Sequence, residues 1–111
     1  MANVLYPSAE APGADAKPVR IAVVGAGDIG RRHMRAIGED GTCSLAAVVD
    51  PQPAGAAAAE RHGAPHFAGL EAMIAAVEPD GVIVATPNAL HVPLATACLR
   101  EGIPVLVEKP I

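Results

Sequence analysis

The sequence predicts an α/β protein built on a doubly wound parallel sheet of about five strands. Short apolar runs recur along the chain, and segments with a helical pattern separate them. The runs are apolar throughout instead of alternating with polar residues, which is typical of parallel strands covered on both faces. Right-handed crossovers between such strands place helices on both sides of the sheet.

Each element follows from its own pattern. Apolar runs that end at Gly, Pro or Asp predict strands, and apolar residues spaced three and four apart predict helices. The predicted strands cover residues 19–25, 44–50, 65–68, 80–87 and 103–108. The predicted helices alternate with them and cover residues 28–40, 53–63, 70–77 and 91–102.

The helices are predicted for different reasons. The first has Ile29, His33 and Ile37 on one face. The second is rich in alanine, which favours helix, and Gly63 is its stop signal. The third repeats apolar residues at helical spacing. The fourth must begin close to Pro93, because proline removes an amide donor inside a helix.

Composition limits the possible functions. The 111 residues are 51 % apolar and carry a net charge of −4, which argues against nucleic acid as a partner. No apolar run approaches the length of a membrane span. Cys43 and Cys98 lie far apart, which argues against a metal site and a disulfide framework and fits a reducing, cytoplasmic compartment. We expect a flexible leader over residues 1–18 and one domain over 19–111.

A glycine-rich turn joins the first strand to the first helix. "VVGAGDIG" places Gly25, Gly27 and Gly30 at the G-x-G-x-x-G spacing of Rossmann-like dinucleotide-binding folds. The first glycine allows a tight turn, the second lets a pyrophosphate approach the backbone, and the third lets the helix pack on the strand. The amides of Asp28 and Ile29 then face the phosphates, although Asp28 also suits a helix cap.

An acidic residue at the end of the second strand strengthens this prediction. Asp50 follows the glycine turn by about 20 residues, the distance expected for a carboxylate that binds the adenosine ribose. It would repel a 2′-phosphate, so NAD is preferred over NADP. Two alternatives stay open: Asp50 is a turn residue before the second helix, or the motif belongs to a methyltransferase that binds S-adenosylmethionine.

Other basic side chains are assigned no ligand. Arg31, Arg32 and Arg35 are predicted to form a solvated face of the first helix. Three histidines are interpreted as surface or packing residues: His33, His62 and His66.

The ends of the fourth and fifth strands carry the most specific patterns. Ligands of this fold lie outside the carboxyl ends of the strands, where the chain reads "ATPNALH" and "VEKP". With "VVGAGDIG" and "VVDP", these segments closely resemble the Gfo/Idh/MocA family, the glucose-fructose oxidoreductase and inositol dehydrogenase type. The resemblance extends from about residue 20 to the end of the sequence, and methyltransferases lack this combination.

The resemblance implies an NAD(P)-dependent oxidoreductase that acts on sugars, polyols or their derivatives. Lys109 would contact substrate and nicotinamide and assist proton transfer while hydride moves to or from nicotinamide C4. Glu108 would lie beside the nicotinamide ribose. Four residues would line the nicotinamide half of the cofactor: Thr86, Pro87, Asn88 and His91.

The residues themselves support part of this assignment. Pro110 biases Lys109 towards extended geometry, which aims it out of the strand end. Burial beside a positive nicotinamide would disfavour the ammonium form and make proton exchange easier. Alternatively, Lys109 forms an ion pair with Glu108. The same strand ends also allow simple roles as turn, cap or strand-end residues for Asn88, His91 and Thr86.

The sequence departs from the family in length. Family members continue for several hundred residues and add an open-faced α+β domain that completes the substrate pocket. We expect the chain to be the N-terminal portion of such an oxidoreductase, truncated after the E-K-P motif and inactive alone. The alternatives are a stand-alone NAD-binding regulatory module and a remnant that binds nothing. With strand order 3-2-1-4-5, the fifth strand would be an exposed edge that favours self-association.

Overall fold

The computed structural model describes residues 2–5 and 18–108, and it describes the side chains of residues 18–108 apart from residue 88. The strands are β1 (Ala2–Leu5), β2 (Val19–Val24), β3 (Cys43–Val49), β4 (His66–Phe67), β5 (Gly81–Val84) and β6 (Val105–Glu108). The helices are α1 (Asp28–Glu39), α2 (Pro53–His62), α3 (Leu70–Val77) and α4 (His91–Arg100), with a 3-10 turn over Asn88–Leu90.

The strands form one sheet in the order β1-β6-β5-β2-β3-β4. Strands β2 to β6 are parallel to their neighbours, and β1 pairs antiparallel with β6. The predicted α/β class and the order of the five parallel strands are therefore confirmed. The chain winds outwards from β2 to β3 and β4, then returns to the other side of β2 with β5. The winding therefore reverses between β2 and β5.

The expectation of an exposed fifth strand is wrong. That strand is β6, and β1 covers its outer side from Ala2 opposite Glu108 to Leu5 opposite Val105. Residues 2–5 were expected in a flexible leader; an antiparallel edge strand satisfies the backbone groups that β6 would otherwise present. Residue 1 and residues 6–17 of that leader lie outside the described residues. The proposed route to self-association through β6 therefore loses its structural basis.

Two apolar layers hold the helices to the sheet. Side chains on a strand alternate between its faces, so neighbouring valines of β2 enter different layers. Val24 packs with Met73 of α3 and Cys98 of α4, whereas Val23 packs with Met34 of α1 on the opposite face. The sheet is thus covered on both sides, as predicted from its continuously apolar strands.

The helix ends follow the expected signals. Helix α2 ends where Gly63 adopts φ 68°, a left-handed conformation that glycine tolerates best. Helix α4 begins at His91, so Pro93 lies in its first turn, as its missing amide donor requires. Within the described ranges, no helix is both long enough and apolar enough to cross a membrane.

Cys98 provides a chemical test of this packing. It is 0 % exposed in the layer beneath α4, and burial raises the pKa of its thiol from 9.0 to about 11. The reactive thiolate is therefore about 100-fold scarcer at a given pH. In a Cys43→Ser variant, we expect a maleimide to label Cys98 at least about 100-fold more slowly in the folded chain than in urea. Mass spectrometry measures the rates, and equal rates would contradict the packing.

Candidate dinucleotide-binding site

A single row of paired residues crosses the carboxyl end of the sheet. The row runs through the last residue pairs between neighbouring parallel strands: Val49, Val24, Val84 and Val107. Asp50, Gly25 and Glu108 come directly after this row and therefore share one edge of the sheet. Asp50 follows β3 and Glu108 ends β6, three strand spacings or about 14 Å away across the sheet. The reversal of winding between β2 and β5 lies between them, which is the position where this fold class binds ligands.

Gly25 is required by the tight turn that leaves β2. Its φ is +105°, and a Cβ atom there would lie 2.7 Å from the carbonyl oxygen of Ala85. The turn is further fixed because the Gly25 amide donates to the carbonyl of Val49 at 2.8 Å. A side chain at Gly25 would therefore force β2 and β5 apart at the site.

The other two glycines of the motif have opposite surroundings. A Cβ on Gly30 would overlap the carbonyl oxygen of Gly25, so glycine lets α1 pack directly on the turn. A Cβ on Gly27 would have no atom of the described chain within 4 Å. The structure thus explains Gly25 and Gly30 by packing, whereas the glycine at position 27 faces open space.

Helix α1 begins without a side-chain cap. Gly27 is its N-cap, and no capping hydrogen bond from a side chain of the described residues reaches the first turn. Asp28 was considered as a cap, but its exposed carboxylate pairs with Arg31 on the outer surface. Ile29 is half-buried behind it. The first amides of α1 and the positive end of its dipole are therefore available to an anion.

Asp50 connects the acidic strand end to the glycine turn. Its Oδ2 accepts a hydrogen bond from the Ala26 amide at 2.8 Å, and its Oδ1 accepts one from the Gln52 amide at 2.8 Å. A carboxylate offers about four acceptor positions, so capacity remains for ligand hydroxyls. Asp50 thus has the turn role that its sequence context suggested, and it is also oriented towards the turn that would hold a pyrophosphate.

Two residues that the sequence did not single out support Asp50. His66 in β4 donates from Nε2 to the Asp50 carbonyl oxygen at 2.8 Å. Gly55 lets α2 approach closely, because a Cβ there would lie 2.6 Å from the Asp50 Cβ. Neither contact has a local sequence signal, since each depends on how β4 and α2 dock beside β3.

The turn after β5 is held by His91. This side chain is 7 % exposed, and its Nε2 donates to the Thr86 carbonyl oxygen at 2.6 Å. The Thr86 Oγ1 atom is buried and has no hydrogen-bond partner in the described part of the chain. Pro87 is exposed beside it, and Asn88 begins the 3-10 turn. The four predicted residues therefore lie on one continuous segment, from the turn beside Gly25 to the first residue of α4.

Glu108 has a partner that the sequence analysis did not foresee. Its Oε1 accepts a hydrogen bond from Nε2 of His33 at 2.7 Å, and the two side chains are 23 % and 24 % exposed. His33 had been interpreted as a surface or packing residue. The signal that could have identified it is its place on the inward face of α1, one turn after Gly30. Lys109, the predicted catalytic residue, lies outside the described residues.

A basic groove lies between α1 and α2. It has a volume of about 360 Å³ and contains four of the arginines of an acidic chain together with one histidine. The basic lining residues are Arg31, Arg32, Arg35, Arg61 and His62. The predicted solvated face of α1 is therefore one wall of a groove. The described residues contain no cluster of three or more His, Cys, Asp or Glu that could hold a metal ion.

Comparison with known proteins identifies the family. Residues 19–111 match the model of the Gfo/Idh/MocA oxidoreductase family, described as an NAD-binding Rossmann fold. An inositol 2-dehydrogenase of Corynebacterium glutamicum strain R is 38 % identical over 98 residues, which are 86 % of this chain and 29 % of that protein. The chain thus spans less than a third of the curated relative.

Solved structures show the same domain with bound cofactors. The WlbA dehydrogenase from Bordetella pertussis in complex with NADH and UDP-GlcNAcA has a TM-score of 0.79 and 34 % identity, covering 84 % of this chain and 29 % of its own. GenD2 from gentamicin A biosynthesis, in complex with NAD, has a TM-score of 0.81 and 34 % identity, covering 90 % and 30 %. A 3-ketoreductase from Actinomadura kijaniata in complex with NADP has a TM-score of 0.78 and 28 % identity, covering 85 % and 31 %.

These comparisons agree with the fold and with the geometry of the strand ends. They confirm the resemblance drawn from the motifs, and they confirm a nicotinamide dinucleotide as the cofactor of the family. The roles of individual site residues stay predictions. The chain belongs to the Gfo/Idh/MocA oxidoreductase family and corresponds to its NAD-binding Rossmann domain.

Proposed function

We propose that the chain binds NAD(H) as the nucleotide-binding part of an oxidoreductase that acts on a sugar, polyol or related substrate. One observation carries the proposal: the uncapped start of α1, the open space at Gly27 and the carboxylate of Asp50 share one end of the sheet. This combination provides an anion site next to a hydrogen-bond acceptor, which is what an adenosine diphosphate requires.

The diphosphate would be held by backbone amides. The first-turn amides of α1, including those of Asp28, Ile29 and Gly30, have no intrahelical acceptor, and the helix dipole favours negative charge there. Gly27 leaves room for the phosphate oxygens to reach them. The pairing of Asp28 with Arg31 reduces the repulsion that an unpaired carboxylate would exert on the phosphates.

Asp50 would bind the hydroxyl groups of the adenosine ribose. Its bond to Ala26 fixes the carboxylate beside the glycine turn, so the acceptor is oriented before the cofactor arrives. A 2′-phosphate at that position would meet a like charge, which favours NAD over NADP. The same repulsion does not apply to NAD, whose ribose hydroxyls donate to a carboxylate.

The nicotinamide half would lie against the ends of β5 and β6. Thr86 and Pro87 lie in the turn after β5, which the buried His91 holds from the start of α4, and Asn88 would contribute from the same segment. Among the described residues, the buried Oγ1 of Thr86 has no hydrogen-bond partner, and this supports a ligand at the turn, because a buried hydroxyl without a partner is costly. Glu108 would accept a hydrogen bond from the second ribose.

Lys109 is proposed as the proton-transfer residue. NAD, when bound, accepts hydride at C4 of its nicotinamide ring. Lys109 in its neutral form would take the proton from the substrate hydroxyl whose carbon loses hydride. Removal of both the hydride and the proton leaves a neutral carbonyl product. The remaining wall of the substrate pocket would come from a second domain, so we expect the 111-residue chain alone to bind cofactor without turnover. A stand-alone regulatory module is the less favoured alternative, because the family that the chain matches is an oxidoreductase family.

A reducing compartment, such as the cytoplasm, is proposed for the chain. Cys43 and Cys98 are both free thiols, and Cys98 is buried away from any partner sulfur. Two free thiols, one of them buried, fit a reducing environment, where structural disulfides are rare.

Substitution of Asp50 tests the adenosine end of the site. In calorimetric titrations, Asp50→Ala should weaken NAD by about 10- to 100-fold, the effect of losing hydrogen bonds to a charged acceptor. The affinity for NADP should fall less, because the substitution also removes the carboxylate that repels the 2′-phosphate. Asp50→Asn keeps an acceptor for the Ala26 amide, so it should change the preference between NAD and NADP with a smaller loss of stability.

The same titrations test the proposal as a whole. Wild-type chain should bind NAD more tightly than NADP and should not bind S-adenosylmethionine. Tighter binding of S-adenosylmethionine than of NAD would overturn the proposed function. An unchanged ratio of NAD to NADP affinity in both Asp50 variants would show that this carboxylate does not contact the ribose.

A further inference from the structure

We propose that His33 is a positioning residue for the nicotinamide end of the cofactor. Its Nε2–H group donates to Oε1 of Glu108 at 2.7 Å and thereby fixes the carboxylate that ends β6. This inference rests on the proposed function, since Glu108 acts on the cofactor only if a dinucleotide occupies the strand ends. It assigns a role in cofactor binding to a residue outside the glycine turn and outside the E-K-P motif.

The fold brings the two residues together by simple periodicity. Side chains two apart on a strand share a face, so Glu108 points to the same side of the sheet as Leu106, which packs against the core beneath α1. His33 lies one helical turn after Gly30. Because Gly30 packs against the Gly25 carbonyl, the distance between α1 and the sheet is fixed at that point. His33 therefore lies next to the end of β6.

The contact between His33 and Glu108 is partly exposed to solvent. His33 and Glu108 are 24 % and 23 % exposed, so their hydrogen bond is only partly screened by water and holds the carboxylate in one orientation. Glu108 uses one oxygen on His33. The other oxygen has no hydrogen-bond partner in the described part of the chain, so the carboxylate keeps acceptor capacity for a ribose hydroxyl.

The bond also joins the two halves of the site. Helix α1 carries the amides expected to hold the diphosphate, and β6 leads directly into the E-K-P motif. A link between α1 and Glu108 therefore fixes the distance between the diphosphate position and the second ribose. The competing explanation is a purely structural tie between α1 and β6, which would affect stability and all ligands alike.

The experiment separates these explanations by using two ligands. NAD requires both halves of the site, whereas ADP requires only the adenosine and diphosphate half. Calorimetry on the 111-residue chain would compare wild type with His33→Leu, which removes the donor and keeps an apolar packing surface. We expect the affinity for NAD to fall about tenfold, the effect of losing one charge-assisted hydrogen bond. The affinity for ADP should change less than about twofold.

Three further single variants and one double variant make the result specific. His33→Gln retains an N–H group near the Nε2 position and should bring NAD affinity back to within about threefold of wild type. Arg32→Leu alters the exposed neighbour on the same helix and should leave the NAD-to-ADP affinity ratio unchanged. Glu108→Gln should lower NAD affinity selectively, and the double variant with His33→Leu should bind NAD no more weakly than the weaker single variant.

Failure of this inference is distinguishable from failure of the proposed function. If wild type binds neither NAD nor ADP, the proposed function is wrong, and the positioning role falls with it. If wild type binds both and His33→Leu weakens both equally or neither, the function stands and the positioning role is overturned. Should His33→Leu not fold, Glu108→Gln decides: an equal loss of NAD and ADP would also overturn it.

Discussion

Gly30→Ala should destabilise the chain by about 3 kcal/mol or more, because overpacking against fixed backbone is costly. The added Cβ would overlap the carbonyl oxygen of Gly25, and neither partner is a side chain that can rotate away. Helix α1 would have to move outwards and lose its contact with Val23 of β2. In a domain of this size, the expected fall in melting temperature exceeds about 10 °C, which circular dichroism measures directly.

Gly38→Ala is the matched control on the same helix. A Cβ at position 38 meets no atom of the described residues within 4 Å outside the helix itself. Alanine there should raise stability by about 0.5–1 kcal/mol, because it restricts the unfolded chain and favours helix. If both substitutions changed the melting temperature in the same direction and by the same amount, the close packing of α1 on the glycine turn would be disproved.

The overall architecture was predictable because it depends on local patterns. Continuously apolar runs such as 21–24 indicate strands buried on both faces, and the helical segments between them require crossovers of one hand. The two-residue strand β4, also predicted, follows from the same alternation. Boundaries differed by a few residues at the end of β5, where turn residues follow the last strand pair, and at the start of β6, which begins at Val105 instead of residue 103.

Edge pairing and side-chain partnerships were not predictable in this way. Strand β1 joins β6 through backbone hydrogen bonds, which carry no sequence signal, so residues 2–5 were expected in a leader. The pairing of His33 with Glu108 joins positions 75 residues apart. The contact of Asp50 with Ala26 similarly depends on the register between β3 and β2. Motif spacing identified the residues at the site, but the three-dimensional fold was needed to identify their partners.

The two outer glycines of the motif also show what the sequence identifies and what only the structure explains. Their spacing from Gly27 follows a known pattern, yet the pattern does not say whether each is kept for the fold or for a ligand. The structure separates these reasons: Gly25 and Gly30 are surrounded by backbone, whereas Gly27 is not. Stability and binding should therefore respond to different glycines of one motif.

Gly27→Val should nearly abolish NAD binding and leave the fold intact. The backbone of Gly27 has φ −76° and ψ −168°, which any L-residue adopts, and a Cβ there meets no atom within 4 Å in the part of the chain that the structure describes. The branched side chain would instead occupy the space in front of the first amides of α1. We expect affinity to fall at least about 100-fold, because the diphosphate must overlap valine or leave the amides.

The expected cost in stability is small by comparison. Valine is a poor N-cap, so the free energy of unfolding should fall by about 1 kcal/mol, or roughly 4–8 °C in melting temperature. Gly38→Val is the control: it adds the same side chain to an open position of the same helix and should leave NAD affinity unchanged. NAD affinity is measured by calorimetry at 25 °C, a temperature at which we expect wild type and both variants to be folded. Wild-type affinity in Gly27→Val would mean that the diphosphate does not approach α1 through this opening.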